Sequence, residues 1–130
     1  MRMMSSGRYG DQVALTSALH QFQQPGCVTF DFLLEMITPG NSSTLSVYLL
    51  TKHRVPTKLH VCSDSQEGWA KSRVYVPSGL YHVMFLATVG RPYRSDIYID
   101  NIAIEPSYAC TEYSSKLSGN FSSKCEFLWL

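Results

Sequence analysis

The sequence predicts an all-β fold, an antiparallel sandwich or barrel, and three observations carry that expectation. Apolar residues recur at every second position in several short stretches. Clusters of Gly, Pro, Asn and Ser cut the chain at intervals of strand length, and no stretch of helical length carries a 3.6-residue period. Composition agrees: the 130 residues are 45% hydrophobic and 12% aromatic, with Val, Ile, Tyr, Phe and Thr suited to a pleated, half-buried surface. A chain of this length makes one domain with a core large enough to sustain itself.

Residues 12–19 form the first strand-like stretch, and Gln24-Pro25-Gly26 stops the chain before residues 27–36. There Val28, Phe30, Phe32, Leu34 and Met36 alternate with more polar partners, the mark of a strand with one buried face. A turn through Pro39, Gly40, Asn41 and Ser42 leads to residues 44–51, where Leu45, Val47 and Leu49 hold one parity and Ser46 and Tyr48 the other. Residues 58–63 and 69–76 follow, the latter alternating Val74 and Val76 with Arg73 and Tyr75. Residues 80–89 are apolar almost throughout, as in a central strand covered on both faces. In residues 95–106, Ile97 and Ile99 have one parity and Ile102 and Ile104 the other. A strict two-residue period cannot bury all four, so a bulge or corner is expected at Asp100-Asn101. The expected core is Phe30, Phe32, Leu45, Val47, Leu49, Val74, Phe85, Ile97, Ile99 and Ile102. Residues 111–130 read as a tail or linker.

A formal net charge of +1 supplies no field to gather phosphates, which argues against a nucleic-acid role. No run of about 18 apolar residues is present, so direct membrane insertion by this segment is not expected. HExxH, GxSxG and Walker patterns are all absent from the sequence, and enzymatic activity is not expected. His20, His53, His60 and His82 lack metal-ligand spacing, and the four cysteines, Cys27, Cys62, Cys110 and Cys125, are too dispersed for a zinc site. No cofactor is expected and no metal site is assigned, while a cation held by Asp100 with other carboxylates, which would need about six oxygens, stays open. Asp96 and Asp100, about 13 Å apart on one strand at roughly 3.3 Å per residue, stand too far apart for paired acid–base work. They read as loop and corner caps.

The order of the pieces is similar to a known family. Gly10 through Ser17, then Cys27-Val28-Thr29-Phe30-Asp31-Phe32, then Leu45-Ser46-Val47-Tyr48-Leu49 resemble the middle of a MAM domain. Trp69 through Val74 resembles its tryptophan-led strand, Tyr81 through Phe85 its central strand, and Gly90 through Ile104 with Cys110 its terminal segment. The resemblance covers residues 7–110 and implies a jelly-roll sandwich used in cell adhesion or receptor assembly, as in meprins, neuropilins and receptor tyrosine phosphatases. Family members usually begin with a further stretch holding two cysteines, so the domain is expected to be N-terminally incomplete here. The start of the chain also lacks the apolar core of a secretory signal. The resemblance further implies a Cys27–Cys110 disulfide. Cys62 and Cys125 match no main pair, and bonding to each other, remaining free or linking chains stay open.

Asn41-Ser42-Ser43 and Asn120-Phe121-Ser122 are N-glycosylation acceptor sequences, so Asn41 and Asn120 are candidate glycan carriers in a secreted protein. Tyr48, Tyr75 and Tyr98 fall on the strand faces opposite the apolar sets and are candidate contact residues. The expected function is a non-catalytic, extracellular protein-interaction module, part of a larger cell-surface or secreted protein. Its expected partners are proteins at the cell surface, a like copy included. The alternative is a carbohydrate-binding, lectin-like domain on the same architecture.

Overall fold

A computed structural model describes residues 2–4, 10–36, 43–63, 68–90, 95–110 and 125–127. These residues form ten strands in order: β1 (Arg2–Met4), β2 (Gln12–Thr16), β3 (His20–Phe22), β4 (Gly26–Met36), β5 (Thr44–Leu50), β6 (Pro56–Ser63), β7 (Ala70–Val76), β8 (Gly79–Thr88), β9 (Ser95–Pro106) and β10 (Cys125–Phe127). One sheet has the order β1-β9-β4-β7 and the other β10-β6-β5-β8-β2, with β3 joining β8 beside β2. Every pairing is antiparallel. The chain changes sheet between β1 and β2, β3 and β4, β4 and β5, β6 and β7, β7 and β8, β8 and β9, and β9 and β10, which gives a jelly-roll sandwich. Strands β1 and β10 lie outside the 7–110 span, β10 within the segment read as a tail. At three residues each, neither is long enough to display a period.

The alternation seen in the sequence becomes the packing between the sheets. Val28, Phe30, Phe32 and Leu34 of β4 meet Leu45, Val47 and Leu49 of β5 and Val83, Phe85 and Ala87 of β8 in one apolar cluster. Phe30 sits at its centre, its ring 5.1 Å from Phe85 and 6.1 Å from Phe32. Burying side chains of this size contributes roughly 1.5–3 kcal/mol each. In β8 the expected covering on both faces is only half realised: Val83, Phe85 and Ala87 are buried, whereas Leu80 is exposed and Met84 and Leu86 are half-buried. The opposite face of β8 meets solvent because the second sheet has a single layer packed against it.

The bulge in β9 stands where the change of parity places it. Asp31 pairs with Asp100 but Thr29 with Ala103, so β9 spends three steps where β4 spends two. Asn101 absorbs the extra residue with a φ of 53°, a left-handed conformation that Asn tolerates better than most residues. Ile97 and Ile99 are fully buried, as expected. Ile102 is not: it is 41% exposed, and Ile104 is 49% exposed. The bulge turns both toward the inner face, since Ile104 pairs with buried Val28, but among the described residues no strand lies over them. Core membership of Ile102 is thus corrected by an open edge, not by a wrong facing.

Two interactions fasten the fold, one within a sheet and one between the sheets. Cys27 at the head of β4 is joined to Cys110, in the single helical turn at 108–110, with Cα atoms 5.6 Å apart. The pairing implied by the family resemblance is therefore present. The second is a polar contact in the core, where His60 of β6 shares a 2.7 Å hydrogen bond through Nε2 with Oγ of Ser72 on β7, across the two sheets. His60 is fully buried beside the edge of Phe30. Burial lowers its pKa from 6.5 to about 4, because the charged ring has lost its water.

Removal of the disulfide by Cys27→Ala with Cys110→Ala is expected to lower unfolding free energy by roughly 2–5 kcal/mol, since the bond spans 83 residues; chemical denaturation measures it. For His60 the unfolded chain binds a proton near pH 6.5 and the folded one only near pH 4. Stability from this residue is therefore complete above pH 6.5 and falls as pH drops toward 4, by on the order of 3 kcal/mol. His60→Gln, which keeps a partner for Ser72 without titrating, is expected to flatten that slope. An unchanged slope between pH 6.5 and 4 would contradict the assignment.

Candidate functional site

The outer face of the β1-β9-β4-β7 sheet is built in rows. In β7 the residues at 70, 72, 74 and 76 face the core, so Trp69, Lys71, Arg73 and Tyr75 face outward. Lys71, Arg73 and Tyr75 pair with Asp31, Thr29 and Cys27 of β4, and β9 sets Tyr98, Asp100 and Ala103 opposite Leu33, Asp31 and Thr29. Trp69 is 52% exposed and lies against Tyr98, with ring centroids 6.1 Å apart and planes at 55°. The two rings lean toward each other across half-buried Leu33 and make an aromatic ledge. The next row is polar: Lys71 Nζ stands 3.4 Å from Asp31 Oδ1, and Asn101 Nδ2 donates to Asp31 Oδ2 at 2.7 Å.

A second feature lies at the open edge of the sandwich. Leu15, Leu19, Val28, Val83, Phe85, Ile102 and Ile104 line an apolar groove of about 380 Å³. Exposed Leu19, Ile102 and Ile104 form its rim. One wall is held by Ser17, whose hydroxyl accepts from Val83 N and whose carbonyl accepts from His82 Nδ1, at 2.9 Å each. The groove exists because β2 ends at Thr16 and the chain crosses to β3 without covering the far half of β9.

The three candidate tyrosines do not come together. Tyr48 lies on the outer face of the other sheet with Lys58 Nζ 5.5 Å from its ring centre. Tyr75 shares a face with Tyr98 but stands in Trp69's strand six residues away, roughly 20 Å along it. Trp69, the neighbour of Tyr98, is absent from the expected contact residues, although residues 69–76 already put it on the outward parity of Arg73 and Tyr75. Asn41 and Asn120 lie outside the described residues. Cys62 is disulfide-bonded and buried, and the strand register sets Cys125 opposite it. Asp96 accepts a long 3.4 Å bond from the Tyr98 hydroxyl, while Asp100 accepts from the Asn101 amide at 2.8 Å. Both carboxylates therefore serve the strand and its bulge. Among the described residues no cluster of three or more His, Cys, Asp or Glu is placed to hold a metal ion, and no helix is long and apolar enough to cross a membrane.

The outcome is a disulfide-tied sandwich with two exposed features and no assembled catalytic group among the described residues. Compared with known families, residues 1–111 match the model of the MAM domain, meprin/A5/mu. No curated protein matches the chain. MAM domains are extracellular modules of the adhesion type. With the family match spanning most of its length, and with the sandwich and disulfide that the resemblance implies, this chain belongs to the MAM domain family.

Proposed function

We propose that this chain is a non-catalytic recognition module of a larger cell-surface or secreted protein, and that it binds a protein partner through the apolar groove between β2 and β9. The observation that carries this reading is the exposure of Ile102 and Ile104. Ile104 faces inward by its register with Val28, and Ile102 lines the same groove, yet the two stand 49% and 41% exposed. Apolar side chains fixed by a rigid sheet lose little entropy on contact, so covering them contributes about 25 cal/mol per Å² removed from water. Among the described residues β1 pairs with β9 at Ile97 and Tyr98 alone, which leaves the adjacent edge of β9 room for an extended segment. Strand addition at such an edge supplies backbone hydrogen bonds while alternate side chains fill the groove.

A like copy is one admissible partner, and a different surface protein is another. The test uses the disulfide-bonded protein made through an oxidising secretory route, coated on beads and presented to cells and to one another. Adhesion is expected to fall by an order of magnitude or more for Ile102→Asp with Ile104→Asp, the loss typical of a central contact. Thermal unfolding should change little, since both sites are already wet. Adhesion that survives the double substitution would overturn the groove as the contact.

A further inference from the structure

The aromatic ledge on the outer face of the β1-β9-β4-β7 sheet is separate from the groove, and its chemistry indicates a different ligand. We propose that Trp69 and Tyr98, with the adjoining row of Lys71, Asp31 and Asn101, form a binding site for a neutral pyranose ring at the end of a glycan. This ligand class goes beyond the protein contact proposed above, and the two stand or fall separately.

The ledge offers what one face of a pyranose needs. A hexose in its chair form gathers axial C–H bonds on one side, and those hydrogens carry partial positive charge that suits the electron-rich face of an aromatic ring. Trp69 presents the larger such face and remains 52% exposed, unusual for a residue that is highly buried on average. Tyr98 leans on it at 55°, which fixes the indole and limits the entropy lost when a ligand arrives.

Around a pyranose the hydroxyls point outward, and here the polar row supplies their partners. Outward residues on a strand recur every second position, so the row holding Asp31 lies roughly 6.5–7 Å from that holding Leu33 and the ledge. That spacing suits a ring centred on the aromatic face with its hydroxyls over the next row. Asp31 accepts and Lys71 donates, and the pair can hold two adjacent hydroxyls, one as donor and one as acceptor. Asp31 is already oriented by Lys71 at 3.4 Å and Asn101 at 2.7 Å, and its side chain is only 16% exposed. It is preorganised and keeps further acceptor capacity, since an ionised carboxylate has about four lone-pair sites.

Charge decides the ligand class. Lys71 and Arg73 of β7 share this face with Asp31 of β4 and Asp100 of β9, so charges of both signs stand side by side and neither an anionic nor a cationic group is selected. A hydroxyl-rich, uncharged ligand uses both, because each hydroxyl donates and accepts. A purely apolar protein anchor would cover the ledge but would strand this polar row against it.

The test is a two-dimensional amide and indole NMR titration of the disulfide-bonded protein with three probes: methyl β-galactopyranoside, methyl β-glucopyranoside and methyl β-N-acetylglucosaminide. At least one is expected to shift the Trp69 indole signal and the amides of Lys71 and Asp31 saturably in the millimolar range, with little dependence on salt. Trp69→Ala should abolish the shifts at Lys71 and Asp31. Trp69→Phe, which keeps a smaller aromatic face, should retain part of the affinity. Asp31→Ala should weaken binding about tenfold, and an unchanged fold is verified by the thermal midpoint. No saturable shift with any probe would overturn the proposal, as would shifts that persist in Trp69→Ala. If the ledge substitutions instead reduce bead adhesion while the free glycosides leave Trp69 unmoved, the ledge anchors a protein and the sugar assignment is wrong. Loss of adhesion in the groove variants with sugar binding intact would leave this site standing alone.

Discussion

One extra residue in β9 governs how this sandwich closes and what it leaves open. Side chains on a strand alternate between faces, so residues an odd number apart cannot share the interior. Ile99 and Ile102 are three apart, and they share it only because Asn101 takes a left-handed turn at φ 53° and spends one residue without advancing the ladder. Upstream of the bulge β9 is covered and completes the core. Downstream it keeps the same facing, but no described strand covers it, which makes Ile102 and Ile104 the rim of the groove. The same residue reaches across to β4, where its side-chain amide orients Asp31. Groove and polar row are thus two consequences of one backbone irregularity.

The rest of the structure keeps that irregularity rigid. The Cys27–Cys110 bond ties the start of β4 to the turn that follows β9, so the downstream half of β9 is fastened at its end. The contact between His60 and Ser72 joins the two sheets through a core built mainly of apolar side chains. A recognition module benefits from such fastening, because surfaces fixed before contact lose less entropy on binding. An exposed apolar edge is also a hazard for self-association. Here the bulge, with Asp100 and Asn101 exposed, interrupts the flat run along which another sheet would pair.

Much of the fold was legible in the sequence because the strands are long enough to show a period. The alternation of Val28, Phe30, Phe32 and Leu34 in β4 and of Leu45, Val47 and Leu49 in β5 matches their burial in the structure. The parity change in β9 located the bulge to the residue pair. What could not be read was cover: alternation reports which way Ile102 points but not whether anything lies opposite. The short strands β1 and β10 carry no period and were invisible for that reason. On the candidate surface, facing was again legible and neighbourhood was not. Tyr48, Tyr75 and Tyr98 all point outward, but pairing across sheets and registers decides which outward residues meet, and it set Tyr98 beside Trp69.

The most direct test of this account compares Asn101→Gly with Asn101→Val by the free energy of chemical unfolding. Glycine adopts the left-handed conformation freely, and its variant should lose only the bond to Asp31, within about 1 kcal/mol of the parent. Valine, branched at Cβ, is strained there and should cost a further 1–3 kcal/mol or so. Equal stability of the two variants would mean that residue 101 is not in a left-handed bulge, and the facing of Ile102 and Ile104 would need another explanation.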